Sequence, residues 1–154
     1  MSTDKTSFVY VTYIASTPHR VYEAITRPEL ASRYWGHENV SDWRPGSRWE
    51  HVRANNDRTV ELVGKVVENS PPNRLVITWA GASQADDLSA QSRVTFDIAE
   101  YEDMVRLTVS HDELIAGSSM ARGITKGWPV VLSSLKSFLE TGRGLDVFAE
   151  PKAA

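Results

Sequence analysis

The spacing of hydrophobic and polar residues changes several times along the chain, and each change predicts a new element. Residues 8–15 (FVYVTYIA) are β-branched and aromatic with partial alternation, which predicts a first strand. Thr17 and Pro18 then supply a capping hydroxyl and a proline for a first helical turn, and apolar residues follow at helical spacing. We therefore expect a short helix over residues 18–26 and, because Arg27-Pro28 breaks it, a second short helix over residues 28–34.

The middle of the chain, residues 38–111, has a different pattern. Strand-like runs alternate there with turn-forming clusters rich in Pro, Gly, Asn and Asp, which predicts an antiparallel meander. Apolar side chains fall on one parity of these runs, at Val60, Leu62, Val66, Leu75, Ile77, Trp79, Val94, Phe96, Ile98, Val105, Leu107 and Val109. One face of the sheet is therefore expected to be apolar and concave.

The end of the chain has the pattern of a long amphipathic helix. Apolar residues recur three and four positions apart over residues 120–139, and Gly142 is placed as a C-terminal stop. Pro129 predicts a kink or a restart within this helix. We expect one α+β domain over residues 1–154, with its core at about 8–142 and a loose tail at 145–154.

Composition and charge exclude several classes of function. The 154 residues carry a net charge of -3, which offers no attraction for nucleic acid or for an anionic membrane. There is no cysteine, so disulfides, thiolate metal sites and a cysteine nucleophile are excluded. With no signal-peptide pattern and no apolar run of membrane-spanning length, we expect a cytoplasmic protein.

Ordered sequence motifs carry a resemblance to a known superfamily. They are YIASTP (13–18) with VYEAI (21–25), WRPG (43–46), GKVVE (64–68), PPNRL (71–75), SRVTF (92–96), LTVSH (107–111), GWPVVL (127–132) and LETG (139–142). In this order they resemble the SRPBCC (START-like) superfamily and, within it, the group named after the activator of the heat-shock-protein-90 ATPase. The resemblance implies a helix-grip fold, in which a curved antiparallel sheet wraps a long C-terminal helix.

The resemblance also implies a cavity between sheet and helix. Our leading hypothesis is that a small apolar or amphipathic molecule binds there. A cyclase, dehydratase or hydrolase acting in the same pocket is one alternative, and a chaperone-associated interaction domain or a homodimer is another. Neither a cofactor nor a metal is expected, since no histidine or acidic spacing is typical of a metal site. Whether a reaction is catalysed stays open.

Tryptophans supply most of the candidate lining residues. The residues expected to contact a ligand are Trp35, Trp49, His51, Trp79, Trp128 and Leu132. Trp35 precedes Gly36, a flexible junction, and is placed at the mouth of the cavity. The alternative is that each tryptophan simply fills the core, because large aromatic side chains are usually buried.

Polar residues on the strands have two interpretations each. His51 shares strand parity with Trp49, so it is the candidate general base, but a structural histidine satisfied by cross-strand hydrogen bonds is the more common case. Glu61 and Arg93 fall on the polar parity and are expected on the solvated convex face. A β-bulge that switches parity would instead bring one of them into the cavity.

Overall fold

A computed structural model describes residues 4–55 and 57–146 as a seven-stranded sheet with three helices. The strands are β1 (Lys5–Ile14), β2 (His37–Val40), β3 (Arg48–Arg53), β4 (Val60–Ser70), β5 (Arg74–Gly81), β6 (Ser92–Tyr101) and β7 (Met104–Ile115). The helices are α1 (Pro18–Thr26), α2 (Pro28–Trp35) and α3 (Ser119–Thr141). Two single 3₁₀ turns, Ala82–Gln84 and Leu88–Ala90, connect β5 to β6.

All neighbouring strands are antiparallel, in the order β1-β7-β6-β5-β4-β3-β2. Strands β2 to β7 form the expected meander, and β1 closes the sheet by pairing with β7, where Tyr10 lies opposite Val109. Helix α3 packs on the concave face. The predicted helix-grip architecture, with two short helices after the first strand, is confirmed.

Local chemistry explains where the helices begin and end. Thr17 caps α1, because its hydroxyl accepts a hydrogen bond from the Arg20 N–H at 3.3 Å. Ser118 caps α3 in the same way, accepting from the Ala121 N–H at 3.1 Å. Gly142 ends α3 with a positive φ of 87°, a conformation that costs glycine little. Pro129 lies inside α3 and the helix continues through it, so the expected restart does not occur.

The core lies between the concave face of the sheet and α3. Its largest fully buried side chains are Trp49, Tyr34, Phe96, Ile14, Leu75, Ile98, Leu107, Leu114, Leu132, Leu135, His111 and Val21. Each aliphatic or aromatic side chain of this size contributes about 1.5–3 kcal/mol when it is removed from water. Burial of this face therefore holds α3 against the sheet.

Gly64 allows strands β4 and β5 to approach each other unusually closely. A Cβ atom at this position would overlap the carbonyl oxygen of Thr78 on β5. The adjacent Lys65 N–H donates to the Thr78 hydroxyl at 2.8 Å. The two strands therefore approach more closely here than any residue with a side chain would allow.

The chain after α3 turns back against α2. Ser134 on α3 donates to the Tyr34 carbonyl at 2.7 Å and accepts from the Leu145 N–H at 2.9 Å. Of the tail expected at 145–154, residues 147–154 lie outside the described part of the chain. Within the described residues, no helix combines the length and the apolar character needed to cross a bilayer.

Replacing Gly64 tests the close approach of β4 and β5. We expect Gly64→Ala to lower the free energy of unfolding by about 3 kcal/mol or more, because either strand must shift to accept the methyl group. Gly81→Ala is the matched control in β5, since a Cβ there meets only the flexible Gln84 side chain at 3.6 Å. Urea unfolding measures both, and equal stability of the two variants would contradict the explanation.

Candidate functional site

A cavity of about 220 Å³ lies between the sheet and α3. It is lined by Trp35, His37, His51, Glu61, Leu62, Trp79, Gly123, Ile124, Gly127, Trp128 and Val131. Apolar and aromatic side chains form most of the wall, and the polar groups come from β2, β3 and β4 on one side. This combination of an apolar wall with a few polar groups is typical of small-molecule sites.

Three tryptophans form the aromatic part of the wall. Trp128 is at the centre, with its ring centroid 5.6 Å from that of Trp35 and 5.4 Å from that of Trp79. All three are at least nine-tenths buried. Each is packed against other rings in tilted or edge contacts, so the wall is rigid on the side facing the cavity.

The structure places the six residues predicted to bind a ligand in two groups. Trp35, His51, Trp79 and Trp128 line the cavity. Trp49 and Leu132 do not. Trp49 stacks behind Trp79 with centroids 5.1 Å apart, and Leu132 is buried in the core while the neighbouring Val131 faces the cavity.

The mouth of the cavity is not at Trp35, which is only 7% exposed. The opening is bordered by Gly123, which is exposed, and by Gly127, His37 and Glu61, which are half-buried. Gly123 and Gly127 are four residues apart on α3, and a Cβ atom at either would meet nothing within 4 Å. Their missing side chains keep this side of the cavity open.

His51 is held by a cross-strand partner. It lies opposite Asn39 on β2, and its Nδ1 is 2.7 Å from the Asn39 Oδ1. Burial, followed by the neighbouring His37, lowers the pKa of His51 well below its ordinary value. His51 is therefore a neutral imidazole at pH 7 and 3% exposed.

His37 stacks on His51, with ring centroids 4.3 Å apart and an interplanar angle of 5°. Its Nδ1 is 3.1 Å from the Trp35 carbonyl oxygen, and its Nε2 is 3.1 Å from the Glu61 carboxylate. Both partners are acceptors only, so the two hydrogen bonds exist together only when both nitrogens carry a proton. The ring therefore lies between a carbonyl oxygen and a carboxylate, and a neutral imidazole can donate to only one of them at a time.

Glu61 reaches the cavity because of a β-bulge. His51 lies opposite Leu62 and Val52 opposite Val60, so Glu61 is the extra residue in β4. Burial opposes its ionisation, but hydrogen bonds from Arg53 and His37 together hold its pKa below the usual value. Arg93 stays exposed outside the cavity, so the bulge alternative holds for Glu61 and not for Arg93.

A second buried histidine anchors α3 to the sheet. The Trp128 indole N–H donates to His111 Nδ1 at 3.0 Å, so the His111 proton is on Nε2. That N–H faces the Ser92 hydroxyl at 2.8 Å, and the hydroxyl donates to the Trp79 carbonyl at 2.8 Å. Each donor in this series of hydrogen bonds has an acceptor, and the series holds Trp128 in the cavity wall.

Two polar groups near the cavity have no such partner. The indole N–H groups of Trp49 and Trp79 are buried without a hydrogen-bond acceptor among the described residues. They belong to the stacked pair beside a void that has no room for water.

In the described part of the chain, no three His, Asp or Glu side chains are grouped so that they could hold a metal ion.

Sequence reasoning did not name six of the lining residues as ligand contacts: His37, Leu62, Gly123, Ile124, Gly127 and Val131. The pairing of His37 with Glu61 depends on the bulge, which leaves no mark in the sequence. Gly123 and Gly127 had a detectable pattern: two glycines four apart inside a helix cost about 1 kcal/mol each. Such a cost indicates that the missing side chains serve a purpose.

The two buried histidines make stability depend on pH. Burial lowers the pKa of His111 to about 4, from 6.5 in the unfolded chain. Between these two pKa values the unfolded chain binds more protons than the folded protein. The contribution of His111 to the free energy of unfolding is therefore fully present above pH 6.5 and is lost as the pH falls towards 4. The loss is about 3 kcal/mol for His111, and the lowered pKa of His51 acts in the same direction.

Urea unfolding at several pH values between 4 and 7 measures this slope. We expect His111→Gln to flatten it, whereas His19→Gln, at an exposed helix position, keeps the wild-type slope. An unchanged slope in His111→Gln would show that this histidine is not the source of the pH dependence.

Comparisons with known proteins agree with this architecture. The family model described as Activator of Hsp90 ATPase homolog 1-like protein matches residues 15–140. No curated protein matches the chain.

Three solved structures show the similarity of fold. The Aha1 dimer from Colwellia psychrerythraea is 21% identical, with a TM-score of 0.75 over 90% of this chain and 99% of its own. CalU16 from Micromonospora echinospora is 22% identical, with a TM-score of 0.72 over 94% and 71%. An HSP90 activator from Plasmodium falciparum is 18% identical, with a TM-score of 0.66 over 79% and 86%. Since the family model covers most of the chain, this protein belongs to the Activator of Hsp90 ATPase homolog 1-like family.

Proposed function

We propose that this protein binds a small apolar or amphipathic molecule in the cavity between the sheet and α3. The observation that carries the proposal is an aromatic cavity bordered by two helical glycines whose Cβ positions are empty. Mid-helix glycines destabilise a helix, and here no packing contact requires them. Space for a ligand explains why this cost is tolerated.

The volume of the cavity limits the size of the ligand. Sites for drug-sized molecules usually have about 300–1,000 Å³, and this one, which is open on one side, has about 220 Å³. An apolar cavity of about 150 Å³ is sufficient for benzene. We therefore expect the part of the ligand inside the cavity to be of the size of one substituted aromatic ring.

The enzyme alternative has less support than binding. A general base works best when its pKa is near the working pH, and burial lowers the pKa of His51 well below neutrality. Its partner is the neutral amide of Asn39, which does not stabilise an imidazolium as a carboxylate would. A cyclase, dehydratase or hydrolase using His51 as its base would work against both features.

Filling the cavity tests the binding function. We expect Gly127→Leu to keep or raise the stability by up to about 1 kcal/mol, because leucine is the better helix former. The same change should weaken ligand binding at least tenfold, because the side chain extends from the helix into the open side of the cavity. A fragment screen of small aromatic molecules, followed by tryptophan fluorescence, supplies ligands and affinities.

Ser133→Leu is the matched control, since Ser133 is exposed on the same helix and does not line the cavity. If Gly127→Leu and Ser133→Leu both bind the ligand with the wild-type affinity, the ligand does not bind in this cavity.

We also propose a homodimer, on the evidence of a separate surface. The β1 patch consists of Val9, Val11, Tyr13 and Tyr101, which are 57%, 46%, 41% and 44% exposed. Three of them alternate on the outer face of β1, which is an edge strand whose free side can pair with the β1 strand of a second copy. The relative from Colwellia psychrerythraea is itself described as a dimer.

A chaperone-associated role is supported by the family description and by the relative described as an HSP90 activator.

Light scattering over a range of protein concentrations tests the dimer. We expect Val11→Lys to shift the protein to monomer, because a charge on the patch opposes burial of the apolar row. Val67→Lys, at a valine on β4 that is 39% exposed, should leave the mass unchanged. A wild-type protein that is monomeric at every concentration would refute the dimer.

A further inference from the structure

The hydrogen bonds around His51 determine which of its nitrogens can bind a ligand. The Asn39 amide nitrogen donates to the Ile25 carbonyl at 2.8 Å, which orients the amide. Its oxygen therefore faces His51 Nδ1 at 2.7 Å, so Nδ1 carries the proton. His51 Nε2 is left with a lone pair and no hydrogen-bond partner among the described residues.

Burial keeps the Nε2 nitrogen unprotonated, and His37 adds to this effect. Both lower the pKa of His51 well below its ordinary value, burial more strongly than His37. The His37 ring is stacked on the His51 ring, with centroids 4.3 Å apart. The carboxylate oxygens of Glu61 bond Arg53 and His37 and not His51. His51 Nε2 therefore keeps its lone pair.

Apolar rings surround the acceptor that remains. His51 is 3% exposed, lines the cavity, and has its ring centroid 4.6 Å from that of Trp35 and 6.0 Å from that of Trp79. A ligand in the cavity displaces the water that can reach this nitrogen, so a ligand with a matching donor is favoured over one that leaves the acceptor unpaired.

We infer that the ligand is a single-ring phenol, whose hydroxyl group donates to His51 Nε2 while its ring packs against the tryptophans. This inference rests on the proposed function and specifies its ligand. The open side of the cavity at Gly123 and Gly127 lets a flat ring lie against the helix backbone.

The same geometry disfavours other aromatic molecules of equal size. A carboxylate such as benzoate brings no proton to the Nε2 lone pair and lies in the same cavity as the Glu61 carboxylate. An aryl methyl ether has no donor, so it leaves His51 Nε2 unpaired after water has been excluded.

Three probes of similar size test the inference on the wild-type protein: p-cresol, 4-methylanisole and toluene. We expect p-cresol to bind about tenfold more tightly than 4-methylanisole and toluene, the effect of one buried hydrogen bond. Calorimetry or NMR titration gives the affinities. Equal binding of the three probes would overturn the phenol inference and leave the cavity proposal intact. Failure of all three to bind would overturn both.

Asn39→Asp tests the direction of the hydrogen bond. A carboxylate beside Nδ1 stabilises the protonated imidazole, so Nε2 becomes a donor. We expect this variant to lose the preference for p-cresol over 4-methylanisole and to gain affinity for benzoate at pH 7. Asn73→Asp is the control, because it makes the same chemical change at an amide that donates to the Ile98 carbonyl, outside the cavity. A p-cresol preference that survives in Asn39→Asp would show that His51 Nε2 is not the acceptor.

Discussion

The hydrogen bond from the Trp128 indole to His111 ties α3 to the last strand at the middle of the cavity wall. Because tryptophan only donates, this one contact determines the tautomer of His111 and, through it, the direction of every hydrogen bond as far as the Trp79 carbonyl. Two of the three tryptophans that line the cavity, Trp128 and Trp79, take part in this series of hydrogen bonds. The hydrogen bond therefore holds the Trp128 indole in the wall of the cavity.

The cavity exists because several local features each oppose close packing. Glycines at 123 and 127 leave the cavity without side chains on that part of the helix, and the bulge places the charged Glu61 at its mouth. Each of these features lowers stability to some degree. Their coincidence at one place is the pattern expected of a functional site, where stability is sacrificed to keep a specific shape.

The electrostatics of the site follow from the placement of one proton. Two histidine rings lie face to face, and their outer partners differ: His37 faces two acceptors, whereas His51 faces an amide oxygen on one side and the apolar cavity on the other. The Glu61 carboxylate and its partners therefore lie at the mouth, and the interior holds a neutral acceptor. This arrangement favours recognition of a neutral donor over acid-base catalysis, since a base with a strongly lowered pKa has little driving force to take a proton.

The elements and their order could be predicted from the sequence, because they depend on local periodicity, on caps such as Thr17 and Ser118, and on glycine and proline at the ends. The inward parity of Trp79 and of His51 was also predictable, because side chains alternate strictly along an unbroken strand.

Tertiary structure decided the rest. The bulge that turns Glu61 inwards, the stacking of Trp49 behind Trp79, and the choice of Val131 over Leu132 as the lining residue all depend on how distant segments meet. Strand parity and helical spacing define which face a residue occupies. They do not define whether the space opposite that face is filled, since this depends on the packing of side chains from other parts of the chain.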